Sequence, residues 1–404
     1  MPAVAFDPET ATKAYLATLA AAARAKSDAY FEGGYWFIVW NFLAGTAALL
    51  FLYITGISAA LRRWAAARVP SFFLKTVLFS TLLLAILSIL TLPLAYYQDF
   101  VREHDFGLST QTLAAWLQDW AIGASVGAVL PSLFVPLLYR AIKAWPRNWA
   151  LAATAIMGLF FVIAGVLGPV IIEPLFNKIT PMQESPLKAG ILSLARANGI
   201  PADNVYVFDT SRQSTRVTAH VSGLLGTTRV TLGDNLLKQG PAVVRAVMGH
   251  EMGHYVLGHA WTLIAWQLLG ALVGFTFISG IYNAALALPR FGVEGPGDPA
   301  GLPLLLLIGS LFGLLVTPLS NTLTRTIETQ ADYFGLNAAA EPDGFAKAAL
   351  ALSTYRKLEP TALEEFVFFD HPSGYNRIHR AMIWKGEHLP PADPASQSGT
   401  PATP

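Results

Sequence analysis

Apolar residues in this chain come in long blocks instead of at one helical or strand period. Runs at 34–60, 72–97, 117–140 and 149–172 are each long enough to cross a bilayer, and two more follow at 262–287 and 302–323. Pro93, Pro131, Pro136 and Pro318 fall within or beside these runs, where a membrane helix tolerates a kink better than a soluble one does. Residues 174–260 break the pattern with ordinary charge density. Within them Val205-Tyr-Val-Phe208 and Thr228-Arg-Val-Thr-Leu232 predict two strands. Residues 324–390 are again soluble in character and predict helices.

The expected organisation follows from these blocks. An N-terminal amphipathic segment and four spans occupy 1–173, a soluble insertion 174–260, two further spans 261–323, and a second soluble part 324–390. A tail rich in Pro, Ala, Ser and Thr at 391–404 is expected to be disordered. The fold class is mainly α, a polytopic membrane protein of about six spans carrying a small α+β domain. Lys13, Arg24 and Lys26 are mixed with Asp7, Glu9, Asp28 and Glu32 in the first stretch. That reads as an amphipathic helix before the first span, not as a secretory signal.

Composition sharpens the membrane reading. The chain is 53% hydrophobic but only 13% charged, about half the charge of an ordinary soluble protein, so much of its surface faces something other than water. A net charge of +1 gives no reason to expect nucleic acid as a partner. With no cysteine, any metal must be held by histidines and carboxylates.

Candidate chemistry concentrates at His250-Glu-Met-Gly-His-Tyr-Val-Leu-Gly-His259. Four residues apart on a helix, His250 and His254 project from one face and can share a metal, with Glu251 beside it as a proton acceptor. That arrangement is what a zinc hydrolase needs. The helix runs almost directly into the span at 262–287, and Trp261 and Trp266 suit a bilayer interface, so the site is expected at the membrane surface or slightly inside it. A catalytic zinc needs a third protein ligand. The best candidate stretch is Arg325-Thr-Ile-Glu328-Thr-Gln-Ala331-Asp332, where Glu328 and Asp332 share a helix face: one can bind metal while the other holds a ligand imidazole from behind.

With both motifs in hand, the chain resembles the type I CAAX prenyl endopeptidase family of integral-membrane zinc metalloproteases, as a prokaryotic member. The resemblance covers nearly everything after residue 30. Besides the two segments above, it rests on Pro174-Leu-Phe-Asn-Lys178 and on the loop Phe100 to Thr112 with Glu103 and Gly107 in place. It implies one Zn2+ per chain held by His250, His254 and Glu328, Glu251 as general base, and Asp332 and Arg325 supporting the ligands. It also implies a large helical chamber, to whose wall Asn41, Gln267 and Asn283 are candidates. His371 and Arg377 match a His-Pro-Pro…Arg segment and are expected to steady the reaction intermediate, although Ser373 replaces its second proline. Thr218-Ala219-His220 stands where the family has Asn-Ala-Tyr on an edge strand that pairs with the substrate backbone. Ala219 keeps its place and Thr218 does not, which puts recognition of a prenylated substrate in doubt.

His104, His220, His379 and His388 have no partner at ligand spacing and are read as structural or solvated. His259 fits the family without an assigned role. Six spans are counted against the family's usual seven, and orientation is contested. Arg62, Arg63, Arg68, Lys75, Lys143 and Arg147 would place their loops in the cytoplasm by the positive-inside rule, whereas the resemblance puts the catalytic domain there. The expectation adopted is a bacterial inner-membrane endopeptidase, catalytic side cytoplasmic, acting on a peptide or protein with or without a prenyl group. Its rivals are a quality-control protease with no prenyl requirement, a transporter with a structural metal, and an inactive lipid-binding scaffold.

Overall fold

The structure, a computed structural model, describes residues 6–223, 228–286 and 291–388. The tail expected to be disordered at 391–404 lies outside the described residues. Among those described, six helices are long and apolar enough to cross a membrane: Ala21–Ile54, Phe72–Asp105, Leu113–Ala144, Trp149–Phe176, His259–Ala285 and Pro299–Ala339. Each overlaps one of the apolar runs. Large side chains such as Leu74, Ile89, Leu151, Leu315 and Leu319 are more than half exposed along them, as expected of a lipid-facing surface.

Two details differ from the sequence expectation. The N-terminal segment does not lie free as an interfacial helix. It forms α1 (Pro8–Ala17), N-capped by Asp7, and then the opening turns of α2 (Ala21–Ile54), both packed on protein. Tyr15 donates to Asp343 at 2.6 Å and Thr12 is fully buried, while Lys357 pairs with Glu32 at 2.7 Å. Three of the charges that looked amphipathic, Glu9, Arg24 and Glu32, are taken by Tyr375, Glu359 and Lys357 of the soluble part. α2 then ends at Ile54, six residues before the apolar run does, and Gly56, whose φ of +71° suits a residue without Cβ, turns the chain into the next helix.

The second difference is the run at 117–140. After α3 (Ile57–Arg68) and α4 (Phe72–Tyr96), it is covered by α5 (Leu113–Ser132) and a separate short α6 (Val135–Ala144). Pro131 and Pro136 flank the break, each removing an N–H that a continuous helix would need. α7 (Trp149–Leu167) completes the first set of spans.

The soluble insertion holds a four-stranded sheet of β1 (Ile179–Pro181), β2 (Val205–Phe208), β3 (Ala219–Ser222) and β4 (Arg229–Gly233), in the order β1-β2-β4-β3. β2 and β4 run parallel, and β3 is antiparallel to β4 with Ala219 opposite Leu232 and Val221 opposite Val230. β3 is therefore an edge strand. Helix α8 (Pro186–Ala197) and helix α9 (Pro241–Val256) pack against each other and on the sheet's apolar residues, with Ile191, Val205, Val230, Leu232, Val244, Met248 and Met252 in one core. α9 stops at Leu257, and Gly258, in a left-handed conformation, turns the chain into α10 (His259–Ala285). The last span is the start of one long helix, α11 (Leu302–Ala339), which leaves the membrane region without a break and runs alongside α9. Helices α12 (Pro342–Leu352), α13 (Ala362–Phe368) and α14 (Gly374–His388) close the soluble part.

Candidate active site

Two helices make the site, and small residues let them meet. A Cβ on Gly335 of α11 would sit 2.7 Å from the backbone nitrogen of His250, and one on Gly253 of α9 would sit 3.2 Å from the Cα of Ala331. With glycine at both places α9 and α11 come nearly into backbone contact. His250 and His254 on one helix then face Glu328 on the other.

The three form the cluster that could hold a metal. Their nearest ligand atoms lie within 4.8 Å of one another. His250 Nε2 is 3.1 Å from His254 Nε2 and 3.2 Å from Glu328 Oε2, and His254 Nε2 is 3.5 Å from Glu328 Oε1. Ligands about 2.0–2.1 Å from a tetrahedral zinc would be separated by about 3.3 Å, so the spacing fits.

Proton bookkeeping gives the same result. Nδ1 of His250 lies 2.9 Å from Oδ1 of Asp332 and donates to it, so Nε2 is the nitrogen turned toward Glu328; Asp332 and Glu328 together raise this imidazole to about 9, and a metal at Nε2 would take the place of its second proton. On the other imidazole, Gln330 Oε1 accepts from His259 Nε2 at 3.1 Å, so His259 Nδ1 carries the lone pair that accepts from His254 Nδ1 at 2.9 Å. His254 Nε2 is thereby a lone pair. Burial holds this imidazole down to about 4, so it stays neutral. His250 Nε2, His254 Nε2 and Glu328 Oε2 converge on one point. Such a point is costly unless a cation occupies it, and the donor set of two imidazoles and one carboxylate suits zinc.

Behind the cluster, Asp332 is fully buried and heavily bonded. Arg377 holds it with Nη2 at 2.6 Å and Nε at 3.2 Å, and Arg380 adds Nη1 at 2.8 Å. Arg377 is thus engaged behind His250, not held free above it. Arg325 donates to the carbonyls of Glu365 and Phe369, fixing the strand of chain that delivers Asp370 and His371. His371 Nε2 stands 3.4 Å from Glu328 Oε2, and its Nδ1 is 2.8 Å from Asp370.

In front of the cluster lies a cleft of about 440 Å3, lined by Glu251, Thr218, Ala219, Tyr355 and His371 among others. The Glu251 carboxylate takes no hydrogen bond or ion pair from the described residues, and burial pushes it up to about 7. His220, on the alternate face of β3, reaches away to Glu173 at 3.1 Å. Glu103 is tied to Arg216 at 2.7 Å and is not part of the cluster. His104, His379 and His388 likewise lie outside it, bonded elsewhere.

Arg380, Gln330 and Asp370 were not singled out from the sequence. Arg380 had a signal, since it follows Arg377 by three residues on one helix face. Gln330 had none, because its partner His259 is 71 positions away.

Residues 181–385 match the model of peptidase family M48, and residues 9–178 match that of the CAAX prenyl protease N-terminal region, five membrane helices. The chain belongs to peptidase family M48. This M48 peptidase is 35% identical to the uncharacterized metalloprotease YhfN of Bacillus subtilis, over 84% of its own length and 80% of that protein. It is 28% identical to CAAX prenyl protease 1 of Saccharomyces cerevisiae over 64% of its length, a match that spans 61% of the yeast protein. The crystal structure of S. mikatae Ste24p shares the fold at a TM-score of 0.76, covering 90% of this chain and 89% of that one at 22% identity. The chain is accordingly a multi-pass membrane metalloprotease of the CAAX prenyl protease type.

Proposed function

We propose that the protein is a zinc endopeptidase that binds its substrate as an added strand on β3 and hydrolyses it in the cleft above α9. The observation that carries this is the convergence of His250 Nε2, His254 Nε2 and Glu328 within 4.8 Å, beside an unpaired Glu251 in the same cleft. Zinc bound there would polarise the scissile carbonyl and make the attacking water more acidic. Glu251 accepts that water's proton and passes it to the leaving amine nitrogen. His371, held by Asp370, is placed over the ligands to donate to the oxygen that gains charge. Arg377 and Arg380 keep Asp332 ionised and aligned, so that His250 presents the correct nitrogen.

β3 supplies the substrate's place. Its unpaired edge at Thr218 and Ala219 borders the cleft, so an extended peptide can pair main chain to main chain. That mode of binding tolerates Thr218 and does not itself demand a prenyl group. On the family resemblance, the chain sits in a bacterial inner membrane with this face in the cytoplasm. A reporter fused after residue 388 that is active only outside the cytoplasm would reverse that orientation. Catalysis is tested by incubating purified, zinc-loaded protein with matched farnesylated and unmodified peptides. Cleavage at one bond by the parent and not by Glu251→Ala supports the reading, and equal cleavage by both removes it.

A further inference from the structure

The far end of the helical bundle carries a cleft that the peptidase chemistry leaves unused. It sits where α4 and α11 begin. Along α11 the distance from Leu302 to Glu328 is about 39 Å at 1.5 Å per residue, so this end is remote from the ligand cluster. The cleft has a volume of about 410 Å3 and is lined by Arg62, Phe72, Lys75, Phe79, Lys143 and the 294–299 loop.

Charge is the unusual property of this end. Among the described residues, its loops and helix ends hold Arg62, Arg63, Arg68, Lys75, Arg140, Lys143 and Arg147 against two carboxylates, Glu294 and Asp298. Both carboxylates are taken by one cation: Arg62 Nη2 lies 2.7 Å from Glu294 and 3.0 Å from Asp298. No carboxylate among the described residues pairs with Lys75, Arg140 or Lys143. Lys143 Nζ is 5.2 Å and the Arg140 guanidinium 5.6 Å from the centre of the Phe72 ring, so the unpaired cations gather around one aromatic wall. Gly297 makes room for this, since a Cβ there would meet the Lys143 side chain at 2.5 Å. Trp64 and Trp145, 40% and 59% exposed on the same loops, mark the depth as that of a membrane interface.

We propose that this cleft binds the phosphate headgroup of an anionic phospholipid, held by Lys75 and Lys143 beside Phe72. Cations with no protein partner, set at headgroup depth between helices, are the chemistry that selects an anionic over a zwitterionic lipid. Phe72, partly exposed at the mouth of the cleft, offers apolar contact to the first carbons of the acyl chains. The site is independent of the reaction, and its failure would leave the peptidase reading untouched.

Full-length protein in nanodiscs of phosphatidylcholine mixed with phosphatidylglycerol tests it, with the lipid retained per chain read by native mass spectrometry. Each interfacial cation is worth about fivefold in affinity, so the parent should prefer phosphatidylglycerol by about 25-fold and Lys75→Gln/Lys143→Gln should approach parity. Zinc content and peptide cleavage should not change. The single variant Lys143→Gln, at an exposed position, should lose about fivefold and serves if the double variant folds poorly. Four results overturn the proposal: no preference in the parent, a preference intact in the double variant, an equal loss in Arg63→Gln/Arg68→Gln, or displacement of the lipid by inorganic phosphate. The third would show a diffuse field and the fourth a free-anion site.

Discussion

His250 Nδ1 and Asp332 Oδ1 are 2.9 Å apart, and this contact decides which nitrogen of His250 faces the metal position. Asp332 is itself locked by Arg377 and Arg380, so the imidazole is held through two layers. Asp332→Asn keeps the shape, but its amide is a poorer acceptor and weakens both arginine contacts. Zinc affinity, measured by chelator competition, should fall 10- to 100-fold. Unchanged affinity would show that His250 is oriented by packing alone.

His254 is set by a different route, through His259 and Gln330. His259→Phe removes the acceptor for His254 Nδ1–H and should weaken zinc by a similar 10- to 100-fold while leaving the fold intact by circular dichroism. His259→Gln, whose amide oxygen can still accept that proton, should recover part of the loss. If the Phe and Gln variants bind zinc equally, His259 acts only as filler.

Close approach of α9 to α11 is a separate requirement. Gly335→Ala would place a methyl 2.7 Å from the His250 backbone nitrogen, and helix backbone cannot give way cheaply. Overpacking of this kind costs about 1–3 kcal/mol. Thermal unfolding should shift down and zinc affinity should drop with it, because Glu328 is displaced from the histidines. A Gly335→Ala protein as stable as the parent would mean that the helices separate freely.

Strand addition on β3 is tested by Ala219→Pro. Proline removes an N–H and fixes φ at a residue opposite Leu232, so the edge can no longer pair fully with a peptide. KM should rise, or cleavage should stop, with zinc still bound. Thr218→Asn should be tolerated, since main-chain pairing does not depend on that side chain. Unaltered kinetics in Ala219→Pro would leave the substrate to be placed by the surrounding walls alone.

The membrane architecture was legible in the sequence because apolar length is a direct physical signal, and each of the six apolar runs overlaps a stretch of helix long enough to cross a membrane. Helix ends were less so. The break at 133–134 was hinted by Pro131 and Pro136, but nothing local shows that α2 starts at Ala21, since its first turns are held by Lys357 and Arg356, far along the chain. In the site, His250 and His254 were readable from helical spacing alone. Glu328 could be suggested, and its place opposite them depends on glycines whose role appears only when two helices touch. Arg377 shows the limit most clearly: its position in the chain says that it is near the site, while only the structure shows its guanidinium bound to Asp332.

Zinc content and cleavage measured together on the parent and on Glu251→Ala test the central claim most directly. Glu251 faces the cleft beside the ligands and is not one of them. The parent should carry about one zinc per chain and cut the peptide, and Glu251→Ala should keep the zinc and lose cleavage by several orders of magnitude. Zinc lost in step with activity would make Glu251 a ligand. Zinc and activity both retained would take the chemistry away from this site altogether.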